Sequence, residues 1–270
     1  STLPKVMSLM TLVTMIAPLL APVLGGYLLY FFGWRSIFYA LSIIGFIAFT
    51  IIIFVLPETV KEQDGNASIF KTSIKNYATL LTSPDAMGII GVFAFSFGAM
   101  FAFIAGSPFV YIEYFGIPDH YYGFLFLLNV VGMIVMLLIN MRLINRFSLR
   151  QIIFFQTTFQ LVAGAALFIL NETNVYIVVT CVVLFISMTN ALGANSLSLL
   201  LEQRGNMAGS ASALAISSQF AAGCLSSYLV SVFQDDSPWA MTLMMLLFAS
   251  LSFGHQFMIK KTKTNEEASS

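Results

Sequence analysis

Hydrophobic residues in this 270-residue chain gather into continuous runs of about twenty, separated by short polar breaks. At the helical rise, about twenty apolar residues cross the hydrocarbon core of a bilayer. The pattern predicts eight spans, over residues 7–31, 36–56, 87–112, 121–143, 151–170, 174–199, 207–233 and 238–259. The runs are continuous rather than ten-residue alternations, which points to helices and away from a barrel. One break is long. Between Pro57 and Asp85 stand Glu58, Lys61, Glu62, Asp64, Lys71, Lys75 and Asp85 itself. Within it Ile69, Ile74, Tyr77, Leu80 and Leu81 recur at near-helical spacing, which predicts a short amphipathic helix on the membrane surface.

Composition agrees with a membrane protein. Apolar residues make up 59% of the chain and charged residues 9%, against roughly 25% charged in soluble domains. The net charge is zero and there is no basic block, so nucleic acid is not an expected partner. Cys181 and Cys224 both fall inside apolar runs and read as inert thiols. The distribution of the 12 cations predicts orientation. Lys5, Lys61, Lys71, Lys75, Arg142, Arg146, Arg150, Arg204, Lys260, Lys261 and Lys263 fall on one side of the eight-span plan, and only Arg35 falls on the other. Glu113, Asp119, Glu172, Asp235 and Asp236 occupy the opposite loops. Positive loops stay inside, so both termini and the long loop are expected in the cytoplasm.

The long loop divides the chain into two spans before it and six after it. The expected organisation is 1–56 as two spans of an incomplete first bundle, 57–85 as a cytoplasmic loop, 86–262 as a six-helix bundle, and 263–270 as a tail. Six spans make a complete half of a two-fold repeated transporter and two do not, which suggests four more spans upstream or a shortened relative. A self-sufficient eight-span protein is the alternative.

Residues 17–26, Ala-Pro-Leu-Leu-Ala-Pro-Val-Leu-Gly-Gly, carry the most distinctive local pattern. Pro18, Pro22 and Gly26 lie four apart on one helical face, and Ala17, Ala21 and Gly25 form a second row beside them. Each proline deprives a carbonyl one turn earlier of its donor, so the helix is expected to bend there. The flat face lets a neighbouring helix come close. A kinked packing helix and a functional element both fit these residues.

Several segments resemble one family. Ala21-Pro22-Val23-Leu24-Gly25-Gly26 is similar to the Gly-Pro-x-x-Gly-Gly antiporter motif of the major facilitator superfamily's fifth helix, with Ala21 in place of the first glycine. Gly33-Trp34-Arg35-Ser36-Ile37-Phe38, Leu56-Pro57-Glu58-Thr59, Gly106-Ser107-Pro108-Phe109-Val110, Arg142-Leu143-Ile144-Asn145-Arg146 and Ala208-Gly209-Ser210-Ala211-Ser212-Ala213 resemble, in order, later segments of its Bcr/CflA drug:proton antiporters. The resemblance implies an all-α integral membrane fold, a major-facilitator-type bundle. This chain would supply family helices five to twelve: the last two of the N-terminal half and a complete six-helix C-terminal half. It implies alternating access, with two bundles rocking about a central cavity and exporting drug as protons move in. Pro18, Ala21, Pro22, Gly25 and Gly26 would form the antiporter motif.

Candidate chemistry is uncharged. No titratable residue stands mid-span; Glu113 and His255 lie at span ends and read as interfacial. The resemblance places proton-handling residues on family helices one and four, outside this chain. Ser187, Asn190, Ala194 and Ser198 share one face of span six, with Asn195 adjacent. Asn129, Met133, Met136 and Asn140 share a face of span four, and Gln156 and Gln160 are one turn apart in span five. A face mixing amides with methionine suits a cavity for amphiphilic compounds; interhelical hydrogen bonding is the competing role for each residue. Phe93, Phe97 and Phe101 share a face of span three, suited to stacking on drug rings or to facing lipid, and Gly106 and Pro108 suit a hinge. Gly205, Gly209, Ala213, Ser217 and Ala221 form a small-residue row along span seven, where Gln219 is the one amide.

No metal-ligand spacing, phosphate loop or catalytic pairing is visible, so no catalytic residue, metal or cofactor is expected. The expected function is proton-coupled efflux of hydrophobic or amphiphilic antibiotics across a bacterial inner membrane. The expected partners are small-molecule drugs, protons and the lipid bilayer. The alternatives are a nutrient or metabolite transporter of the same fold and a non-transporting truncated membrane protein.

Overall fold

A computed structural model of the chain describes residues 24–55 and 69–259. They belong to two units, one within Ser1–Ser68 and one within Ile69–Ser270. Among the described residues, seven helices are long and apolar enough to cross a membrane.

In the first unit a helix α1, described over 24–32, turns at Gly33 into α2, Arg35–Val55. Gly33 adopts a φ of 77°, which a side chain would resist, so the glycine sets the turn. The Ser36 hydroxyl donates to the carbonyls of Gly33 and Leu28 across it. The Arg35 guanidinium lies 4.4 Å from the centre of the Trp34 ring, a cation–π contact. No residue of α2 is buried within the unit. Span one, predicted over 7–31, lies outside the described residues except for its last turns.

The second unit begins with α3, Ile69–Thr82, the helix expected in the long loop. Its Leu80 is fully buried, and the Asn76 amide donates to Ser210, so α3 is docked on the bundle by one face. Six longer helices follow: α4 (Pro84–Pro108), α5 (Asp119–Leu143), α6 (Leu149–Ile169), α7 (Val175–Gln203), α8 (Ala208–Val232) and α9 (Trp239–His255). Local chemistry sets several of their ends. Ser83 caps α4 ahead of Pro84, Ser148 and Gln151 form a capping box on α6, and Asn174 caps α7 through the Tyr176 amide. Several ends differ from the hydropathy pattern by one to four residues. The α4 helix starts three residues before 87 because Ser83 and Pro84 supply a start signal, and α7 runs on to Gln203 past 199.

The α4 helix is central, with 61% of its most apolar window buried. Its glycines let α9 approach. A Cβ at Gly98 would stand 2.5 Å from the Phe248 ring, and one at Gly106 2.6 Å from Met241 Cβ. Gly106 is thus a position of close packing against α9. After Pro108 the chain passes into a π-helical turn, Phe109–Tyr114, with the Phe115 amide bonded to the Val110 carbonyl. Ser107 and Tyr122 then join α4 to α5 by hydroxyls 2.9 Å apart.

Candidate functional site

Helices α4, α7 and α8 enclose a groove of about 290 Å³. From α4 come Phe93 and Phe97, one turn apart. From α7 come Thr189, Asn190, Gly193, Ala194 and Leu197, and from α8 comes Gln219. Successive turns of two helices thus form the walls, with a single amide on the third. Gly193 permits the narrow wall: a Cβ there would stand 3.3 Å from the Phe93 ring. Phe97 continues into an aromatic cluster, 4.9 Å from Phe101 and 5.4 Å from Phe220 between ring centres, the latter edge-on. Phe101 in turn packs against Gly223. None of the eight lining residues is ionisable. Such a surface can stack a planar ring and hydrogen-bond its polar groups, with no fixed charge to select an ion.

Behind the groove lies a buried polar layer that bonds across the helices of the bundle. The Ser96 hydroxyl donates to Gln160 Oε1 at 2.9 Å, and Gln160 Nε2 donates to Thr189 Oγ1 at 3.2 Å. Asn140, Gln156 and Asn195 form a second network on α5, α6 and α7. Asn140 and Asn195 exchange amide bonds of 3.1 and 2.8 Å, Asn195 donates to Gln156 at 3.0 Å, and Gln156 donates to Asn140 at 3.2 Å. Thr157 donates to Gln256 at 2.6 Å, tying α6 to the end of α9. All of these side chains are buried, and of their amide nitrogens only Gln256 Nε2 lacks a partner among the described residues.

The predicted candidates separate accordingly. Phe97, Asn190 and Gln219 come together on the groove, with Phe101 against Phe97. Gln156, Gln160 and Asn195 are buried behind it in interhelical bonds. The α5 face does not form one surface. Asn129 is buried and donates to the Leu125 carbonyl, Met133 accepts from Asn190 Nδ2 at 3.1 Å, and Met136 packs with Met188 and Ala191. Met136 also borders a second, almost wholly apolar cleft of about 510 Å³ between α5 and α7, which includes Ser187. Pro18, Ala21 and Pro22 lie outside the described residues. Gly25 and Gly26 are helical in the first unit, and neither packs against another of its described residues. Thr189, Gly193 and Leu197 were not singled out by the residue pattern, although the period from Asn190 through Ala194 runs beside them. Among the described residues no group of three or more His, Cys, Asp or Glu side chains is placed to hold a metal.

Fold and site define a class: an all-helical, multi-pass membrane protein with an uncharged, aromatic- and amide-lined groove set into its bundle. The Major Facilitator Superfamily matches residues 1–227, and the chain belongs to that family. It is 32% identical over 237 residues to the bicyclomycin resistance protein homolog of Haemophilus influenzae, covering 87% of this chain and 60% of that protein. It is 31% identical over 216 residues to the uncharacterized MFS-type transporter YdgK of Bacillus subtilis, covering 78% of this chain and 54% of that protein. A shorter match, 27% over 109 residues, links it to the multidrug resistance protein MdtM of Escherichia coli, over 40% of this chain and 26% of that protein. The chain therefore spans a little over half the length of the first two relatives. The first of them agrees with the resemblance to the Bcr/CflA branch.

Proposed function

We propose that the protein exports hydrophobic or amphiphilic antibiotics by proton-coupled antiport, using alternating access in a bacterial inner membrane. The groove between α4, α7 and α8 carries the reading, because its rings and amides suit amphiphilic drugs and it holds no charge. The names of the relatives support it: one is a bicyclomycin resistance protein homolog and another a multidrug resistance protein. In this reading the chain crosses the membrane eight times, two spans in 1–56 and six in 86–262. The loop 57–85, the tail 263–270 and both termini of the chain lie in the cytoplasm. Pro18, Ala21, Pro22, Gly25 and Gly26 act as the antiporter motif and limit leak. No acidic or basic side chain stands mid-span in α4 to α9, so the proton step is assigned to groups outside the described residues.

Expression of the complete gene in a bacterium lacking its own major exporters tests the proposal. Tolerance to at least one hydrophobic antibiotic is expected to rise, and to fall back when a protonophore collapses the proton gradient. Unchanged tolerance across a broad panel, with the protein present in the membrane, would contradict it.

A further inference from the structure

Gly193 is set apart from the other glycines of the bundle by what its missing side chain leaves open. Glycine is a poorer helix former than alanine, so a glycine well inside α7 calls for a reason in packing. At Gly91, Gly98 and Gly106 a Cβ would collide with His255, Phe248 and Met241, and the reason is the seam between α4 and α9. At Gly193 a Cβ would meet the Phe93 ring at 3.3 Å, a tight contact rather than a collision. Phe93 and Gly193 both line the groove, and among the described glycines Gly193 alone does so. The ring thus rests on α7 where that helix has no side chain. Phe93 also packs on the buried cluster that holds Ile89, Ile90, Leu192 and Ala215. The side left open to the ring is the groove, so whatever lifts Phe93 off α7 takes space from the groove.

We infer that Gly193 is a specificity-determining residue: by letting Phe93 rest on α7 it sets the depth of the groove, and so admits thick, non-planar substrates as well as flat ones. A methyl group at this position would push the ring outward by a few tenths of an ångström. A close-packed surface does not absorb such a shift without loss. The groove measures only about 290 Å³, so the displaced ring occupies space that a substrate would use. A flat ring can still lie beside Phe93, whereas a frame with a group out of plane meets it. The substrates so selected are neutral compounds with three-dimensional apolar frames, whose polar groups reach Asn190 and Gln219. The inference rests on the groove being the binding surface.

The bridgehead carboxamide of triptycene and the matching carboxamide of anthracene carry the same neutral amide on a three-bladed and on a flat frame. Tritiated forms of each are bound to the product of the complete gene in nanodiscs, with empty nanodiscs as the correction. The readout is the ratio of the two dissociation constants, which does not depend on the fraction of protein that folds. The wild-type protein is expected to bind both probes. Gly193→Ala is expected to shift the ratio against the triptycene by about tenfold or more, the discrimination that one methyl group gives in an apolar pocket. Phe93→Leu in the Gly193→Ala background is expected to recover most of that shift, because the smaller side chain gives the space back. Phe97→Ala is expected to weaken both probes, which reports that they occupy the groove. If it does so while Gly193→Ala leaves the ratio unchanged, or while Phe93→Leu recovers nothing, the inference about Gly193 is overturned and the groove stands. Rejection of the triptycene by the wild-type protein overturns it equally. If Phe97→Ala changes neither probe, the groove is not their site, and both readings fall.

Discussion

Gln156 shows what a single amide does in this bundle. Buried between Asn140 and Asn195, it both donates and accepts, so its loss removes one bond from each partner while the Asn140–Asn195 exchange stays in place. Interhelical hydrogen bonds in membranes are worth about 0.6 kcal/mol on average and at most about 1.7, and two of them are lost. Gln156→Leu is therefore expected to destabilise the protein by about 1 kcal/mol, read as a lower thermal midpoint in detergent. Binding of an antibiotic to which the protein confers tolerance is expected to be unchanged in the folded fraction, because Gln156 does not line the groove; a loss of affinity at full folding would place it on the substrate path. The residue pattern marks Gln156, Gln160, Asn190 and Asn195 as polar groups in apolar runs. It does not say which face into the bundle, because one-turn spacing is the same for a cavity wall and a buried bond. Phe97 and Asn190 were legible as groove residues. Thr189 was not, because the pattern does not tell a groove-lining threonine from one turned to its own helix.

Helices α4 and α9 meet along a seam of missing side chains. Gly98 receives the Phe248 ring and Gly106 receives Met241. Gly98→Leu would drive a branched side chain into that ring and into the Ala222 carbonyl, 3.2 Å from the site of a Cβ. Overpacking of this kind costs about 1–3 kcal/mol or more, so the variant is expected to give little monodisperse protein. Phe248→Ala in the same background should recover part of the yield, and failure to do so would mean that the backbone of α8 sets the limit. The small-residue row of α8 behaves differently. Gly205, Gly209, Ala213, Ser217 and Ala221 are all exposed in the second unit, and the packing row is Ala211, Ala215, Ala222 and Ser226. Both rows repeat at helical spacing, so periodicity alone could not tell them apart. The position and number of the helices after Ile69 were legible because twenty apolar residues must span a bilayer. The extra turn before 87 and the π-helical turn after Pro108 depend on capping and proline chemistry, to which hydropathy is blind.

Across the whole second unit the charges separate by end. Arg204 donates to Ser83 at the start of α4, and α3, with Lys75, docks near the start of α8 through Ser210. Arg142, Arg146 and Arg150 flank the turn from α5 to α6 on the same end, while Glu172, Asp235 and Asp236 lie in the turns of the other. Read by the positive-inside rule, the arginine end is cytoplasmic. In intact cells, a membrane-impermeant maleimide is expected to modify Glu172→Cys and to leave Asn145→Cys untouched until the cells are opened; the reverse pattern would invert the topology. The central claim, that the groove of α4, α7 and α8 binds the exported drug, has a more direct test. Ala194 lies exposed on the groove wall, and Asp236 in a loop at the acidic end serves as the control. With Cys181 and Cys224 replaced by alanine, the rate of maleimide modification of Ala194→Cys and Asp236→Cys is measured with and without an antibiotic to which the protein confers tolerance. The account predicts that the drug slows modification at Ala194→Cys several-fold and leaves Asp236→Cys unchanged. Equal rates at Ala194→Cys with and without saturating drug would contradict it.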